Sequence, residues 1–589
     1  MRKGVIDRVS GPLVVCSGIR GVAIGEIVEV GSEGLIGEVV RVIGDRFFVQ
    51  VYESTSGLKP GEGVVATGRR LTAELGPGLL GSIFDGIQRP LPELLKLSGP
   101  FIGRGFKLNA LPRDRKWCFK PLVRVGDRVG PGDIIGIVEE TPMIVHKVMV
   151  PPHLRPGEIT RIEEGEFTVE EGVATVVTRD GEVEIRLMHE WPVRVARPWA
   201  DRLAPEEPLL TGQRVIDTFF PISKGGTACV PGGFGTGKTV LLHKISMWSN
   251  ADVVVYVGCG ERGNEMAELL KEFPQLIDPR KGRPVIERSV LIANTSNMPV
   301  MAREASVYMG ITIAEYYRDM GYDVALQADS TSRWAEAIRE LSSRLEEMPV
   351  EQGFPAYLPD KLAEVYERAG RVKCLGEPER VGSVTVIAAV SPPGGDYNEP
   401  VTIHTLRFVG AMWALDTELA YRRHFPAVNW LRSFSQYADI LEEWMRRNVS
   451  RDAPRYRRRA LALLSTASEI EAIASVVGES ALPDDQRLIL LVADMLKEGF
   501  LRQVALEGEE AFCPPIKQYT LLKMMLDFYD VAYQLVRARV PVDEIISLPH
   551  IPDMIRVKEK PLGEIERLYG EAREALREIA DRYGVEVSG

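Results

Sequence analysis

Residues 1–70 alternate apolar and polar positions in short runs: GVIDRVSGPLVVCSGI, GEIVEVG, GLIGEVVRVIGDRFFVQVYE and GVVATGRRL, punctuated by glycine. Successive side chains of a strand face opposite ways, so a two-residue period predicts half-buried strands. Short strands with frequent turn signals predict a small closed barrel. The stretch PGLLGSIFDGIQRPL, residues 77–91, breaks the alternation and reads as part of a connector over 71–115. A second strand-rich block covers 116–190. Its segments LVRVGDRVGPGDIIGIVEE and HKVMVPPHLRPGEITRIEEG are dense in glycine, proline and β-branched residues, which predicts an inserted small β-domain rather than an elaborated loop.

From 191 to 440 the pattern changes. DVVVYVG (252–258), DVALQAD (323–329) and SVTVIAAV (383–390) are unbroken apolar runs separated by helical stretches. Strands buried on both faces read this way, so the alternation predicts a parallel α/β sheet. Residues 441–589 read as helical. In SEIEAIASVVG, Ile470, Ile473, Val476 and Val477 fall on one helix face, which predicts a buried stripe.

Composition narrows the class. The chain has 589 residues, 45% hydrophobic and 26% charged, with net charge -11. That is enough apolar material for several cores, and the acidic balance argues against sequence-independent nucleic-acid binding. The six cysteines (Cys16, Cys118, Cys229, Cys259, Cys374, Cys513) show neither CxxC pairing nor zinc spacing, so they read as reduced thiols of a cytosolic protein. The N-terminus lacks an apolar signal core, and no run is expected to reach the length of a membrane span.

The sharpest chemical signal is GGFGTGKT, residues 232–239, which fits G-x-x-x-x-G-K-[ST]. Gly232, Gly233, Gly235 and Gly237, with Phe234 and Thr236 among them, form a loop whose backbone N–H groups can turn toward phosphate oxygens. Lys238 is placed to neutralise the β- and γ-phosphates, and the Thr239 hydroxyl to ligate Mg²⁺. The strand-forming residues 227–230 precede the loop and a helical stretch follows from Thr239, so a helix N-terminus faces the phosphates. Phe234 is expected to pack beneath the loop.

Two carboxylates follow apolar strands, where side chains enter the ligand crevice of an α/β sheet. Glu261 comes after the run 253–257 and is a candidate for orienting the attacking water; Arg262 beside it is placed to meet the γ-phosphate. The plainer reading is an exposed Glu–Arg pair in a loop. Asp329 ends DVALQAD and is a candidate for holding Mg²⁺, with helix N-capping as its plainer role; Ser330 can cap as well. The expected fold is multidomain: an N-terminal β-barrel (1–70), a connector (71–115), an inserted β-rich domain (116–190), a central α/β P-loop domain (191–440) and a C-terminal α-helical domain (441–589).

GGFGTGKTV, GCGERGNE, SNMPVMAREAS, ADSTSRWAEAIRE, SPPGGDYNEPVT and RRHFPAVNWLRSFSQY occur in this order. Together they closely resemble the catalytic A subunits of archaeal and vacuolar-type rotary ATPases. The resemblance implies a RecA-like central domain and an alternating A3B3 hexamer with a B subunit that supplies an arginine finger in trans. It further implies central and peripheral stalk subunits and a membrane sector that moves protons or sodium ions, with this chain peripheral at the cytoplasmic face. ATP or ADP with Mg²⁺ is the implied substrate. By the same resemblance Phe425 stacks on adenine, and Ala505 is carried over as a base contact.

The chain departs from that pattern in places. Gly233 stands where relatives usually carry proline, which loosens the loop through backbone entropy. Thr236 replaces serine or cysteine and removes any disulfide control there. Gln327 replaces an apolar residue and needs a hydrogen-bond partner if buried. The 502–515 segment also differs from the family's base-lining stretch. Other classes share the P-loop: a hexameric nucleic-acid translocase, a protein-export ATPase and a non-catalytic nucleotide-binding subunit. The acidic charge and the 116–190 block argue against the first, and the complete lysine, glutamate and aspartate set against the last.

Overall fold

The computed structural model describes residues 2–99, 103–278, 281–504 and 510–587. The chain divides into two compact units: Met1–Ala204 with Lys224–Thr227 and Ala251–Val409, and Pro205–Ser223 with Ala228–Asn250 and Gly410–Gly589.

In the first unit, six strands close the barrel expected from the opening alternation. They are β1 Arg2–Ser10, β2 Leu13–Ser17, β3 Glu26–Val30, β4 Leu35–Ile43, β5 Arg46–Val51 and β6 Gly63–Arg70, in the order β1-β2-β5-β4-β3-β6. Alternate residues such as Val14, Cys16, Val28, Val30, Val49 and Val64 fill its interior. Closure leaves no free sheet edge. The inserted block forms two four-stranded antiparallel sheets, one through Gly157–Ile162 and Gly172–Thr178, the other through Ile134–Glu139 and Trp117–Pro121.

The parallel sheet of this unit runs Ile83–Phe84, Ser289–Thr295, Val253–Glu261, Asp323–Asp329, Val381–Val390. Ile83–Phe84 corrects the reading of 77–91 as connector alone. Two residues are too few to show a period, and only pairing with Leu291 and Ile292 makes them a strand. Gln327 is fully buried within Asp323–Asp329.

Helix Val300–Asp319 is buried along nearly its whole length, charged residues included. Polar groups taken out of water need partners, and here they have them. Arg194 donates to both oxygens of Glu304, at 2.8 and 2.7 Å, and to Glu38 of the barrel at 3.2 Å. Asp319 accepts from Arg197 at 2.7 Å and Arg318 at 2.6 Å, and Glu315 pairs with Arg368. Tyr316 bonds His146 of the insert at 2.9 Å, and the Tyr317 hydroxyl donates to Glu140 at 3.0 Å. Glu140 is held below the usual carboxylate range. Burial opposes this, but the His146 ring and the backbone donors of Leu80 and Gly78 outweigh it. Gly310 sits where a Cβ would come 2.4 Å from Val257 Cγ2, so the helix meets the sheet too closely for a side chain there.

In the second unit, Thr227–Pro231 pairs parallel with Ala411–Met412, which pairs antiparallel with Phe434–Ser435. The rest is helical, dominated by Ala453–Val477, Asp484–Met495, Pro515–Arg537 and Leu562–Tyr583. Helix Ala453–Val477 buries Tyr456, Ala460, Leu463, Leu464, Ala467 and Ile470, a three-to-four-residue stripe. The predicted continuation of that stripe is not buried: Ile473, Val476 and Val477 are exposed, because no described element covers the helix's last two turns. By length and composition alone this helix also meets the criterion for a membrane span, contrary to the expectation that no run would. It packs one buried stripe against helices Asp484–Met495 and Pro515–Arg537, as an amphipathic helix does.

Replacing Arg194 by methionine strands Glu38 and Glu304 as buried, unpaired charges. The expected cost is about 3–5 kcal/mol, read as an earlier denaturation midpoint of the full chain. Adding Glu304→Gln should recover part of it.

Candidate functional site

Within the second unit, the loop 232–237 joins the buried strand Thr227–Pro231 to helix Lys238–Trp248, so the helix begins one residue earlier than expected. Two kinds of glycine requirement shape the loop. A Cβ on Gly232 would lie 2.6 Å from Thr236 Oγ1, whereas Gly235 and Gly237 hold φ of +76° and +88°. The latter region disfavours any residue with a side chain by about 1–2 kcal/mol. Gly233 needs neither allowance, since the nearest atom to its Cβ position is Thr417 Oγ1 at 3.6 Å. Its carbonyl instead gathers side chains: Thr236 Oγ1 and Lys238 Nζ each donate to it at 2.8 Å. Lys238 also donates to Gly232 O at 2.8 Å, so the ammonium is held against the loop.

Phe234 is 80% exposed at the loop's tip. The expectation that it packs beneath the loop is therefore wrong. Thr236, 1% exposed, occupies the inside position, and the left-handed turn at Gly235 leaves the ring outside. Phe425, the residue expected to stack on adenine, is half-buried, and its Cε1 lies 3.4 Å from the Cβ position of Gly237. The Phe425 carbonyl accepts from Gln503 N at 2.7 Å. Ala505 lies outside the described residues.

Within the first unit, Glu261 and Asp329 end neighbouring parallel strands, Val253–Glu261 and Asp323–Asp329, with Gly258 level with Asp329. Glu261 closes the strand rather than following it in a loop. Arg262 is exposed at the N-cap position of helix Gly263–Glu272. Asp329 is only 2% exposed, and its Oδ2 accepts from the Tyr256 hydroxyl at 3.1 Å. The cap of helix Thr331–Arg344 falls at Ser330, whose side chain makes no capping bond. Asp329 is thus not spent on capping.

The Glu261 carboxyl is pushed up to about 7, first by burial, then by the Asp329 charge and a hydrogen bond to Glu265, with Arg333 opposing. Gly260, at φ +74°, allows this crowding, because a Cβ there would meet Arg333 Cβ at 2.6 Å and Arg303 Cδ at 3.1 Å. Sequence reasoning missed Tyr256, Glu265, Arg303 and Arg333. The one available signal was Glu265, a helical turn beyond Glu261 in GERGNE.

Four family models match in chain order. The beta-barrel domain of the ATP synthase alpha/beta family covers 6–68, and the ATP synthase alpha/beta barrel-sandwich domain covers 108–194. The nucleotide-binding domain of the alpha/beta family covers 212–435, and the C-terminal domain of V and A type ATP synthase covers 442–546. The A subunit of the A-type ATP synthase of Thermofilum pendens is 65% identical, covering 99% of this chain and 98% of that one. Its counterpart in Thermococcus kodakarensis is 56% identical over 99% and 100%. The V-type ATP synthase alpha chain of Thermoanaerobacter pseudethanolicus is 53% identical over 99% of each. The assembled ATPase EscN from the enteropathogenic E. coli type III secretion system superposes with TM-score 0.64 at 21% identity, over 89% of this chain and 100% of that one. At that identity the likeness speaks for the fold alone.

Strand, glycine loop and lysine-headed helix, with acids at parallel strand ends, mark a P-loop nucleotide-binding protein. Within that class the chain belongs to the ATP synthase alpha/beta family, among the A subunits of A-type and V-type ATP synthases.

In the metal- and nucleotide-free chain, Glu261 should release its proton near pH 7 rather than near 4.5. Glu265→Gln removes a neighbouring charge that favours the neutral form, so the midpoint should move downward. Carboxyl-selective NMR reads it, and an unmoved midpoint would contradict the coupling.

Proposed function

We propose that this chain is the catalytic subunit of an ion-translocating rotary ATPase of the archaeal and vacuolar type. It hydrolyses ATP, or makes it when proton or sodium flow drives rotation. The reading is supported most by the conjunction of full-length likeness to A subunits of A-type ATP synthases with an intact chemical set: Lys238 and Thr239 heading the loop helix, Glu261 and Asp329 at strand ends.

The residues take the following roles. Backbone N–H groups of 232–239 and the Lys238 ammonium hold the phosphates. Phe425 stacks on the adenine, and Ala505 adds a base contact. Glu261 orients water and accepts its proton, a task suited to a carboxyl tuned close to working pH. Arg262 meets the γ-phosphate as charge develops there. The Thr239 hydroxyl and the Asp329 carboxylate are hard oxygen donors, the kind Mg²⁺ prefers. A site of one carboxylate, one hydroxyl, waters and substrate phosphates is usual for that ion. When bound, Mg²⁺ neutralises charge on the β- and γ-phosphate oxygens.

The remaining parts belong to the assembly: a B subunit contributing an arginine in trans within an A3B3 head, stalk subunits, and a membrane ion-translocating sector. The chain sits peripherally at the cytoplasmic face of that membrane. No nucleic-acid partner is assigned.

In the assembled complex, Glu261→Gln should leave Mg-ATP binding nearly intact and lower turnover by about 10²–10⁴-fold. Near-normal hydrolysis would reject its role. Lys238→Ala should weaken Mg-ATP binding by roughly tenfold or more, the scale of a lost charge-assisted hydrogen bond. Unchanged calorimetric affinity would rule out the phosphate cradle.

A further inference from the structure

Within the second unit lies a group of buried cations that the chemistry above does not use. Lys244, on the loop helix Lys238–Trp248, is only 5% exposed. Its ammonium donates to the backbone oxygens of Gln503 at 2.9 Å and Val504 at 3.4 Å. The fully buried Arg214 donates to Phe500 O at 2.5 Å and Arg502 O at 2.7 Å. Lys558 donates to Glu498 O at 2.5 Å and Arg502 O at 3.0 Å. Three cations thereby collect the carbonyls of 498, 500, 502, 503 and 504, where the chain leaves the wide helical turn Leu496–Leu501. Carbonyls at a helix C-terminus have no intrahelical donors, and cations suit them.

The segment held this way reaches the base platform. Gln503 N donates to the Phe425 carbonyl at 2.7 Å, and the Gln503 amide bonds Gly212 O at 2.8 Å and Arg214 N at 2.8 Å. Lys244 therefore links the helix that carries Lys238 to the backbone beside Phe425.

We propose that Lys244 is a positioning residue for the nucleobase: by holding the Gln503 and Val504 carbonyls, it fixes the edge beside Phe425 against which the base seats. The inference rests on the proposed stacking of the base on Phe425 and deepens that reading. Burial lowers the Lys244 ammonium to about 8, with Glu510 resisting and Arg214 assisting. Its charge is therefore present below pH 8 and lost above it. Of the other groups in this region, Glu510 bonds Arg214 and Lys558 at 3.2 and 3.5 Å, and Lys558 is itself lowered by burial. His243 and His424 are both pushed down to about 4 and stay neutral, and the Cys513 thiol is raised.

The test compares Mg-ATP with inorganic tripolyphosphate, which lacks a base, by calorimetry on the full chain. Lys244→Met should weaken ATP by about tenfold while tripolyphosphate changes by less than about twofold. ATP affinity of the unaltered chain should fall as pH rises through about 8. Lys244→Arg should keep ATP binding and abolish that fall. Equal loss of both probes in Lys244→Met, the mark of a merely structural lysine, overturns the proposal, as does no loss of either. An unaltered chain that binds tripolyphosphate but not ATP sinks the Phe425 stacking reading together with this inference. One that binds neither sinks the cradle reading as well.

Discussion

The first unit depends on answering the buried charges of helix Val300–Asp319. Glu304, Glu315, Arg318 and Asp319 lie almost without water, and each meets an opposite charge from another element or its own helix. Such pairs often contribute little net stability against an apolar alternative, but a wrong partner leaves a bare charge inside. The helix can therefore seat in few ways. Its partners come from the segment after strand His189–Pro192 through Arg194, which also reaches Glu38 of the barrel, and through Arg197, and from the insert through Glu140 and His146. Gly310 brings the same helix against Val257, four residues before Glu261. The placement of the acidic strand ends follows from this packing.

Around those ends the chemistry is built from crowding. Asp329 keeps a hydroxyl partner in Tyr256, while Glu261 shares its space with Asp329 and Glu265. Two neighbouring carboxyls in related surroundings thus differ in their partners, and Glu261 is pushed up toward neutrality. Carboxylates that face one another raise the cost of ionising both. Added to burial, the larger cause, this brings the Glu261 carboxyl up to about 7.

Much of this was legible in the chain, and the reasons are specific. Barrel strands announce themselves because one face is wet, and the glycine loop because phosphate binding admits few residues at few positions. Glu261 and Asp329 were visible because an acid ending an apolar run has little structural reason to be there. Tyr256 was hidden, since a tyrosine inside an apolar run looks like packing until its hydroxyl finds Asp329. Ile83–Phe84 was too short to carry a period. Phe234, Ile473, Val476 and Val477 misled in the opposite direction. Apolar character argues for burial, but only coordinates show whether anything stands opposite. Lys244 and its carbonyls, some 260 residues apart, could be joined only by the fold.

The hydrogen bonds onto Gly233 O change where the loop's rigidity resides. A proline would restrict that residue in the unfolded chain as well, a constraint that persists through heating. Glycine gives up that constraint, and Thr236 and Lys238 restore order only once the loop has folded. Positions 233 and 236 are consequently coupled through a single carbonyl. A chain that lost the Thr236 hydroxyl while keeping Gly233 would leave that carbonyl to Lys238 alone, a slacker strap that neither residue reveals by itself.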